Sequence, residues 1–303
     1  MSDTLQIVEV GPRDGLQNET ALVSIEDRIS LIQRLEAAGV RRIEAVSFVN
    51  PRRVPQMAGA EEIMAALPPR GDRSRIGLVL NRRGWDRAVT AGCDEANVVV
   101  CATDGFGIRN QGADVEAQIG TLKEIAAVRA QAGGGPRLSL TVSVAFGCPF
   151  EGEVPEAAVM RIVEAGAEAG VEEIALADTI GAADPWTVRA RVALARTAAP
   201  DIRQRVHFHD TRGAALANVF AAVEAGVKVL DSSCGGLGGC PFAPGATGNV
   251  ATEDLVWMLH RAGYGVGIDV EAIIDAARWI GERIGKPPAS SLSRAGVFPA
   301  APG

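Results

Sequence analysis

The chain has 303 residues, of which 47% are hydrophobic and 22% are charged. This length allows about two ordinary domains or one large α/β barrel, and the composition excludes collagen-like, disordered and small disulfide-rich proteins. The formal net charge of −7 gives no basic footprint of the kind that nucleic-acid-binding proteins carry, so no nucleic-acid partner is expected.

Eight apolar, β-branched runs along the chain are typical of buried parallel strands. The runs lie at residues 5–10, 42–48, 75–80, 96–101, 138–146, 172–177, 204–209 and 227–232. Helix-length segments with apolar residues at a 3.6-residue spacing separate them. This alternation predicts a parallel sheet with helical crossovers.

An Ala-Gly pair recurs at four junctions between a predicted helix and the strand that follows it. The glycines are Gly39, Gly92, Gly170 and Gly226. Glycine just past a helix end adopts the left-handed conformation at little steric cost, so these pairs mark the joints of a repeating βα unit. Eight such units in about 250 residues predict an α/β fold, a (β/α)8 TIM barrel, with a doubly wound open sheet as the alternative.

Two further helical segments, near residues 252–263 and 269–284, follow the eighth strand. We therefore predict one domain over residues 1–286, which comprises the barrel and these extra carboxyl-terminal helices. Residues 287–303 are rich in Pro, Ser and Ala, and we expect them to form a short, mobile tail.

The amino terminus and the cysteines indicate the compartment. Residues 1–10 lack the basic and apolar regions of a secretory signal, and the chain contains no run of about 18 apolar residues. The five cysteines are therefore expected to be reduced thiols rather than a disulfide framework. We expect a cytoplasmic protein that does not bind membranes.

Polar residues occur at the ends of several predicted strands, where the active sites of parallel barrels lie. Asp14 follows strand 1, and His207 and His209 lie in strand 7 with their side chains on the same side. A carboxylate and two imidazoles suit Mg²⁺ or Mn²⁺ with positions left for water and substrate. The alternatives are a turn-capping carboxylate and a hydrogen-bonded pair of core histidines.

Three other residues have both a chemical and a structural interpretation. Glu44 lies inside apolar strand 2, where an acid is costly to bury unless it is paired. Asp178 ends strand 6, where it takes part in chemistry or only caps the next segment. Cys240 lies in the glycine-rich loop 235–249, which either closes over substrate and donates a proton or is an ordinary loop.

Six motifs occur in order along nearly the whole chain, to about residue 285. They are GPRDGLQNE from Gly11, IEAVSFVNPRRVPQM from Ile43, VSVAFGCPFEGEV from Val142, ALADTIGAADP from Ala175, VHFHDTRGAALAN from Val206 and SSCGGLGGCPFAPGATGNVATEDLVWML from Ser232. Together they resemble the 3-hydroxy-3-methylglutaryl-CoA (HMG-CoA) lyase family. That family belongs to the metal-dependent TIM-barrel acyl-CoA lyases and Claisen-type synthases.

The resemblance implies a divalent cation, Mg²⁺ or Mn²⁺, bound by Asp14, His207, His209 and Asn249. It places Arg13 beside the thioester carbonyl, where a fixed guanidinium would stabilise the enolate oxyanion. Cys240 is implied to transfer a proton, and Glu44 and Asp178 to support or take part in that transfer. Gln17 and Ser47 are implied to contact substrate or metal-bound water. The base that removes the hydroxyl proton stays open between a metal-side imidazole and a carboxylate.

The implied reaction is retro-aldol cleavage of HMG-CoA to acetoacetate and acetyl-CoA, as in leucine breakdown. The alternatives are the same mechanism on another branched 3-hydroxyacyl-CoA, a condensing synthase of the isopropylmalate or homocitrate kind, and a metal-binding barrel without catalysis. The implied partners are an acyl-CoA and a second copy of the chain, in a dimer through the carboxyl-terminal helices.

Two departures from the family pattern bear on the substrate. Thr103 and Asp104 replace a Ser-Glu pair, and Arg212 replaces a tyrosine. We expect Arg212 either to bind near the metal and adjust substrate choice or to face solvent. The CoA phosphates have five candidate partners, each of which is alternatively a solvated surface charge: Arg52, Arg53, Arg82, Arg83 and Lys286.

Overall fold

The computed structural model describes residues 4–239 and 248–298, so Cys240 lies outside the described residues. Eight parallel strands form a closed barrel in sequence order, with β1 paired to both β2 and β8. The strands are β1 (Gln6–Glu9), β2 (Arg42–Ser47), β3 (Ser74–Val79), β4 (Glu95–Cys101), β5 (Arg137–Ser143), β6 (Glu173–Asp178), β7 (Arg203–Phe208) and β8 (Val229–Ser232). The predicted TIM barrel is confirmed, and the open sheet is excluded.

Helices surround the barrel and follow β8. They are α1 (Ile25–Ala37), α2 (Ala60–Ala66), α3 (Arg82–Thr90), α4 (Asp104–Gln111), α5 (Val115–Gln131), α6 (Glu156–Glu168), α7 (Pro185–Ala198), α8 (Ala215–Glu224), α9 (Thr252–Arg261), α10 (Val270–Ile284) and α11 (Ser291–Ala295). Across the described residues, none of these helices combines the length and apolar character needed to cross a membrane.

The four predicted Ala-Gly joints all have the left-handed conformation. The φ angles of Gly39, Gly92, Gly170 and Gly226 lie between 71° and 102°. At Gly39 the space is also restricted, because a Cβ atom would lie 2.3 Å from the carbonyl oxygen of Gly267. The joint between α1 and β2 therefore packs directly against the segment that leads into α10.

The carboxyl-terminal helices confirm the two helices predicted after β8. The helix α10 packs against α1, and the amide of Asp269 donates to the carbonyl of Ala38 at 2.8 Å. The helix α11 lies in the segment predicted as a tail, and its Leu292 and Ser293 are buried. These helices thus cover the face of the barrel beside β1 and β8.

Buried charges fill the amino-terminal half of the barrel interior. Arg42 Nη2 lies 2.7 Å from both Glu95 and Glu173, and these residues begin β2, β4 and β6. Side chains of alternate strands thus form one layer, as in other TIM barrels. Arg205 links this layer to β8, since its Nε lies 3.4 Å from Glu173 and 3.6 Å from Asp231.

Candidate active site

A cavity of about 170 Å³ opens at the carboxyl ends of the strands. Polar residues of the turn after β1 and of β2, β4, β5, β7 and β8 contribute to its lining. The polar side chains include Arg13, Asp14, Gln17, Glu44, Asn97, His207, His209 and Asp231. The structure therefore brings together most of the residues that the sequence singled out.

Asp14, His207 and His209 form a compact group of candidate metal ligands. One ligand atom from each residue lies within 4.8 Å of the others. Asp14 Oδ2 is 3.9 Å from His207 Nε2 and 3.8 Å from His209 Nε2. These atoms converge without direct short hydrogen bonds between carboxylate and imidazole, which is the arrangement that a shared cation requires.

Asn249 lies beside this group because its backbone pairs with that of His209. Its Nδ2 donates to Asp14 Oδ2 at 2.9 Å and to the carbonyl of Leu237 at 3.0 Å. Its Oδ1 is buried and has no hydrogen-bond partner among the described residues. A buried oxygen without a partner beside a carboxylate and two imidazoles fits a divalent cation, since such an atom is costly to leave unpaired.

The electrostatics of the group also favour a cation. Burial alone would raise the pKa of Asp14, but Arg13 and the two histidines hold it well below its usual value. Burial alone would lower the pKa of His207, yet the hydrogen bond to Asp231 and the charges of Asp14 and Asp231 raise it. The carboxylates of Asp14 and Asp231 thus favour positive charge in the space between the ligand atoms.

Asp231 is a site residue that the sequence interpretation missed. It lies in β8 and is 6% exposed, and its Oδ2 is 3.2 Å from Nδ1 of His207. The contact leaves Nε2 of His207 facing Asp14. An acid inside the apolar run of strand 8 was the available signal, because it is the same signal that singled out Glu44 in strand 2.

Arg13 is held by carboxylates on two sides. Its Nε donates to Glu44 Oε2 at 2.7 Å, and its Nη1 donates to Asp14 Oδ1 at 2.7 Å. Glu44 is held in turn, since Asn97 Nδ2 donates to its Oε1 at 3.0 Å. The pairing of β2 with β3 shifts between Glu44 and Val46, a bulge of the kind that re-aims side chains near active sites.

Besides Asn249, three predicted residues do not line the cavity: Asp178, Ser47 and Arg212. Both carboxylate oxygens of Asp178 accept backbone amides, from Ala182 at 2.8 Å and Ala183 at 2.9 Å. Burial outweighs these bonds and raises the pKa of Asp178. Ser47 is fully buried at the end of β2, and its hydroxyl has no partner among the described residues.

Arg212 is the third residue outside the cavity lining. Its Nη1 donates to the carbonyls of Ile180 and Gly181, each at 2.9 Å. Thr179, the neighbour of Ile180, does line the cavity, and its hydroxyl accepts the amide of Val144 at 2.8 Å. Arg212 therefore contacts the segment that follows β6 rather than the metal group.

The segment with Thr103 and Asp104 supports α4. The Thr103 hydroxyl donates to Cys148 Sγ at 3.1 Å, and Asp104 Oδ1 accepts the amide of Val115 at 2.9 Å. Phe106 and Asn110 of α4 line the cavity. The departure from the family pattern thus lies in the helix that forms one wall of the site.

Two buried carboxyl groups anchor the turns on either side of the site. Glu9 Oε1 accepts the amides of Gly11 at 2.7 Å and Cys234 at 2.9 Å, and its Oε2 accepts the Thr252 hydroxyl at 2.6 Å. Glu253 Oε2 accepts the amide of Gly235 at 2.9 Å. Burial raises the pKa of both carboxyl groups to about 7.

The chain is similar in sequence to known lyases. The sequence profile of the HMGL-like family matches residues 4–280. A hydroxymethylglutaryl-CoA lyase from Pseudomonas mevalonii is 42% identical over 98% of this chain and 97% of its own length. An (R)-citramalyl-CoA lyase from Chloroflexus aurantiacus is 40% identical over 98% of this chain and 96% of its own length.

The fold is similar to that of a solved structure with bound ligands. An HMG-CoA lyase from Acinetobacter baumannii, in complex with coenzyme A and 3-methylmalate, matches with a TM-score of 0.92. The two chains are 38% identical, and the match covers 99% of each. Sequence and fold thus point to the same group of proteins.

Proposed function

The chain belongs to the HMGL-like family, and from this premise we propose that it is a metal-dependent carbon–carbon lyase that cleaves HMG-CoA to acetoacetate and acetyl-CoA. The observation that carries the proposal is the convergence of Asp14, His207 and His209 with Arg13 in one cavity. A cation site beside a fixed guanidinium suits a cleavage in which charge moves from a hydroxyl to a thioester.

We assign Asp14, His207, His209 and Asn249 as the residues that would hold the cation. When bound, a divalent cation would lower the pKa of the substrate's tertiary hydroxyl and offset the charge of its carboxylate. Mg²⁺ and Mn²⁺ both suit this mixed set of nitrogen and oxygen donors.

The reaction breaks the bond between C2 and C3 of the acyl group. The hydroxyl proton passes to a base, the C3 oxygen becomes the ketone of acetoacetate, and the electron pair of the broken bond moves into the thioester enolate. We assign Arg13 to the enolate oxygen, because Glu44 holds its guanidinium in place before charge develops.

Protonation of C2 completes acetyl-CoA. We assign this proton to Cys240, by resemblance to the family, and Cys240 lies outside the described residues. Gln17 lines the cavity and is proposed to contact substrate. Asp178 and Arg212 are proposed to position the segment after β6, to which both side chains are hydrogen-bonded. Contact of Ser47 with substrate or metal-bound water stays a prediction, because its buried hydroxyl has no partner among the described residues.

Citramalyl-CoA is a second candidate substrate, because a relative at 40% identity is named for it. In citramalyl-CoA the carboxylate is attached directly to C3, so the same bond cleavage yields pyruvate and acetyl-CoA. The two substrates differ only in the length of this arm. We expect the segment with Thr103 and Asp104, at the start of α4, to determine which length of this arm the site accepts.

Turnover by metal-stripped protein tests the assignment. The protein is incubated with HMG-CoA or citramalyl-CoA, with and without Mg²⁺ or Mn²⁺, and acetyl-CoA, acetoacetate and pyruvate are measured by mass spectrometry. We expect metal-dependent acetoacetate formation that is lost in Asp14→Ala and kept in Asp72→Asn, since Asp72 is 70% exposed and is not part of the cavity lining. Pyruvate as the preferred product would replace HMG-CoA by the second candidate, and no product from folded, metal-loaded protein would refute both.

A further inference from the structure

A series of side-chain hydrogen bonds crosses the barrel interior and ends at Arg13. It begins in β7, where Arg205 Nη2 donates to the hydroxyl of Thr141 in β5 at 3.3 Å. That hydroxyl donates to Asn97 Oδ1 in β4 at 3.0 Å, and Asn97 Nδ2 donates to Glu44 Oε1 in β2 at 3.0 Å. Glu44 Oε2 then accepts from Arg13 Nε at 2.7 Å. We call the four side chains from Arg205 to Glu44 the interior network.

The two arginines fix the direction of every hydrogen bond in this series. A guanidinium only donates, so the Thr141 hydroxyl accepts from Arg205 and its one proton is left for Asn97 Oδ1. The amide nitrogen of Asn97 therefore faces Glu44. Because Arg13 donates to the second oxygen of Glu44, both oxygens of this carboxyl group accept from obligatory donors.

A small residue allows the interior network to cross β6. Thr141 is in register with Ala175 of β6, and Ala175 is in register with Arg205 of β7. Ala175 lies on the same side of its strand as Ala177, which lines the cavity, so its side chain points into the barrel. Because this side chain ends at Cβ, the guanidinium of Arg205 reaches past it to the Thr141 hydroxyl.

The inner end of the interior network lies in the buried charged layer. Arg205 is 1% exposed, and its Nε lies 3.4 Å from Glu173 and 3.6 Å from Asp231. Asp231 in turn lies 3.2 Å from Nδ1 of His207. Arg205 is therefore connected to both sides of the site, to a proposed metal ligand through Asp231 and to Arg13 through the interior network.

Thr141 is the close donor to the amide oxygen of Asn97. The hydroxyl of Ser139, which lies one pleat inward on β5, is 3.4 Å from the same oxygen. It is only 2.7 Å from Glu95 Oε1, and a hydroxyl has one proton, so this proton is donated to the carboxylate. Loss of the Thr141 hydroxyl would therefore free the amide of Asn97 to turn away from Glu44.

We infer that Asn97 and Thr141 are positioning residues for Arg13. Thr141 orients the amide of Asn97, and this amide fixes the carboxylate of Glu44. The carboxylate in turn holds the guanidinium where the enolate oxygen develops, and a donor that is fixed in advance stabilises this charge without reorganisation. This inference rests on the proposed function, because it takes Arg13 to act on the thioester enolate.

Thr141→Val removes the hydroxyl and nearly keeps the shape of the side chain. We expect kcat for HMG-CoA to fall about tenfold, with KM and the Kd for Mn²⁺ unchanged, because the lost hydrogen bond acts only on developing charge. Thr141→Ser keeps the hydroxyl and should stay within about twofold of the wild-type kcat. Thr197→Val is the matched control, since the exposed Thr197 hydroxyl donates to the carbonyl of Ala193 within α7, and it should behave as the wild type does.

Asn97→Asp tests the next contact in the series. It places a carboxylate oxygen against Glu44 Oε1, where the wild type has a donor, so kcat should fall about 100-fold. Adding Glu44→Gln to Asn97→Asp again sets an amide donor against a carboxylate. We therefore expect this double variant to recover kcat at least fivefold over Asn97→Asp alone, which a loss of packing at Asn97 would not allow.

The ¹⁵N–¹H signal of Arg13 Nε reports the hold on the guanidinium without turnover. The signal is assigned by its absence in Arg13→Lys, and circular dichroism shows that each variant is folded. We expect exchange of this proton with water to be at least tenfold faster in Thr141→Val and Asn97→Asp than in the wild type, and unchanged in Thr197→Val.

Three results would overturn the proposal. The first is wild-type kcat in folded Thr141→Val, and the second is an equal loss of kcat in Thr141→Ser. The third is a loss of kcat without faster exchange at Arg13 Nε, because Thr141 would then act by another route.

The failure of this positioning role and the failure of the proposed function are distinguishable. If exchange at Arg13 Nε responds to the substitutions but neither acyl-CoA is cleaved, the positioning role stands and the lyase assignment fails. If HMG-CoA is cleaved and Thr141→Val keeps both the wild-type kcat and the wild-type exchange, the lyase assignment stands and the positioning role fails.

Discussion

Nδ1 of His207 lies 3.2 Å from Oδ2 of Asp231, and Asp231 in turn lies 3.6 Å from Nε of Arg205. The carboxylate thus orients the imidazole of a proposed metal ligand. It also pairs with Arg205, which contacts Glu173 of the buried charged layer in the barrel. Carboxylates in this position fix the tautomer of a ligating histidine and raise its basicity. We infer that Asp231 is a positioning residue for the cation.

Asp231→Asn should therefore weaken binding of Mn²⁺ and Mg²⁺ by about 10–100-fold. Titration calorimetry on metal-stripped protein measures this directly, with circular dichroism to show that the variant is folded. Asp72→Asn, which removes a surface carboxylate, is the control and should bind the metals as the wild type does. Wild-type affinity in folded Asp231→Asn would show that the contact has no role in metal binding.

Arg13→Lys should lower kcat by about 10²–10³-fold with little change in KM, because the lost donor acts on charge that develops in the transition state. Glu44→Gln should lower kcat in the same direction by a smaller factor, since it loosens Arg13 without removing it. Because Glu44 acts through Arg13, adding Glu44→Gln to Arg13→Lys should have less effect than Glu44→Gln alone. Additive losses, measured at saturating metal, would show that Glu44 has an independent role.

The sequence predicted the fold because the barrel depends on local and repeated signals. Each strand is an apolar run buried on both sides, and each αβ joint such as Gly170 has a glycine that the left-handed conformation favours. The buried layer of Arg42, Glu95 and Glu173 could not be predicted in the same way. Its charges are paired only across strands that lie far apart in the chain, and no local pattern specifies such pairs.

The site was predictable to the extent that its residues end strands. Asp14, His207 and His209 follow this rule, and the structure brings them together. Asp178 also ends a strand, but its side chain bonds the amides of Ala182 and Ala183, and the direction of a side chain at a strand end is not encoded by its position. Asp231 was missed although, like Glu44, it is an acid within an apolar run; its role depends on the contact with His207 of another strand, which the sequence does not specify.

Arg212→Tyr tests whether the segment after β6 affects substrate choice. Arg212 donates hydrogen bonds to the carbonyls of Ile180 and Gly181, and the neighbouring residue Thr179 lines the cavity. Releasing these carbonyls should change the ratio of kcat/KM between HMG-CoA and citramalyl-CoA by roughly fivefold. Arg189→Tyr, at an exposed position of α7, should leave the ratio unchanged. An unchanged ratio in Arg212→Tyr would mean that this arginine has no part in selecting the substrate.

The stability of the protein should depend on pH through Glu9 and Glu253. Burial raises the pKa of each carboxyl to about 7 from an ordinary value of 4.5. Between these pH values the folded protein keeps protons that the unfolded chain has released. Each group therefore contributes most to the free energy of unfolding below pH 4.5, and this contribution is lost as the pH rises towards 7.

Glu9→Gln isolates this effect, because an amide resembles the protonated carboxyl group and does not titrate. Between pH 5 and pH 8, the free energy of unfolding of the wild type should fall by about 2–3 kcal/mol more than that of Glu9→Gln. Urea unfolding at several pH values measures the shift, with Glu62→Gln on the exposed surface of α2 as the control. Parallel pH profiles for Glu9→Gln and the wild type would show that the Glu9 carboxyl ionises normally, and that the anchor between the turns at Gly11 and Cys234 is a charged one.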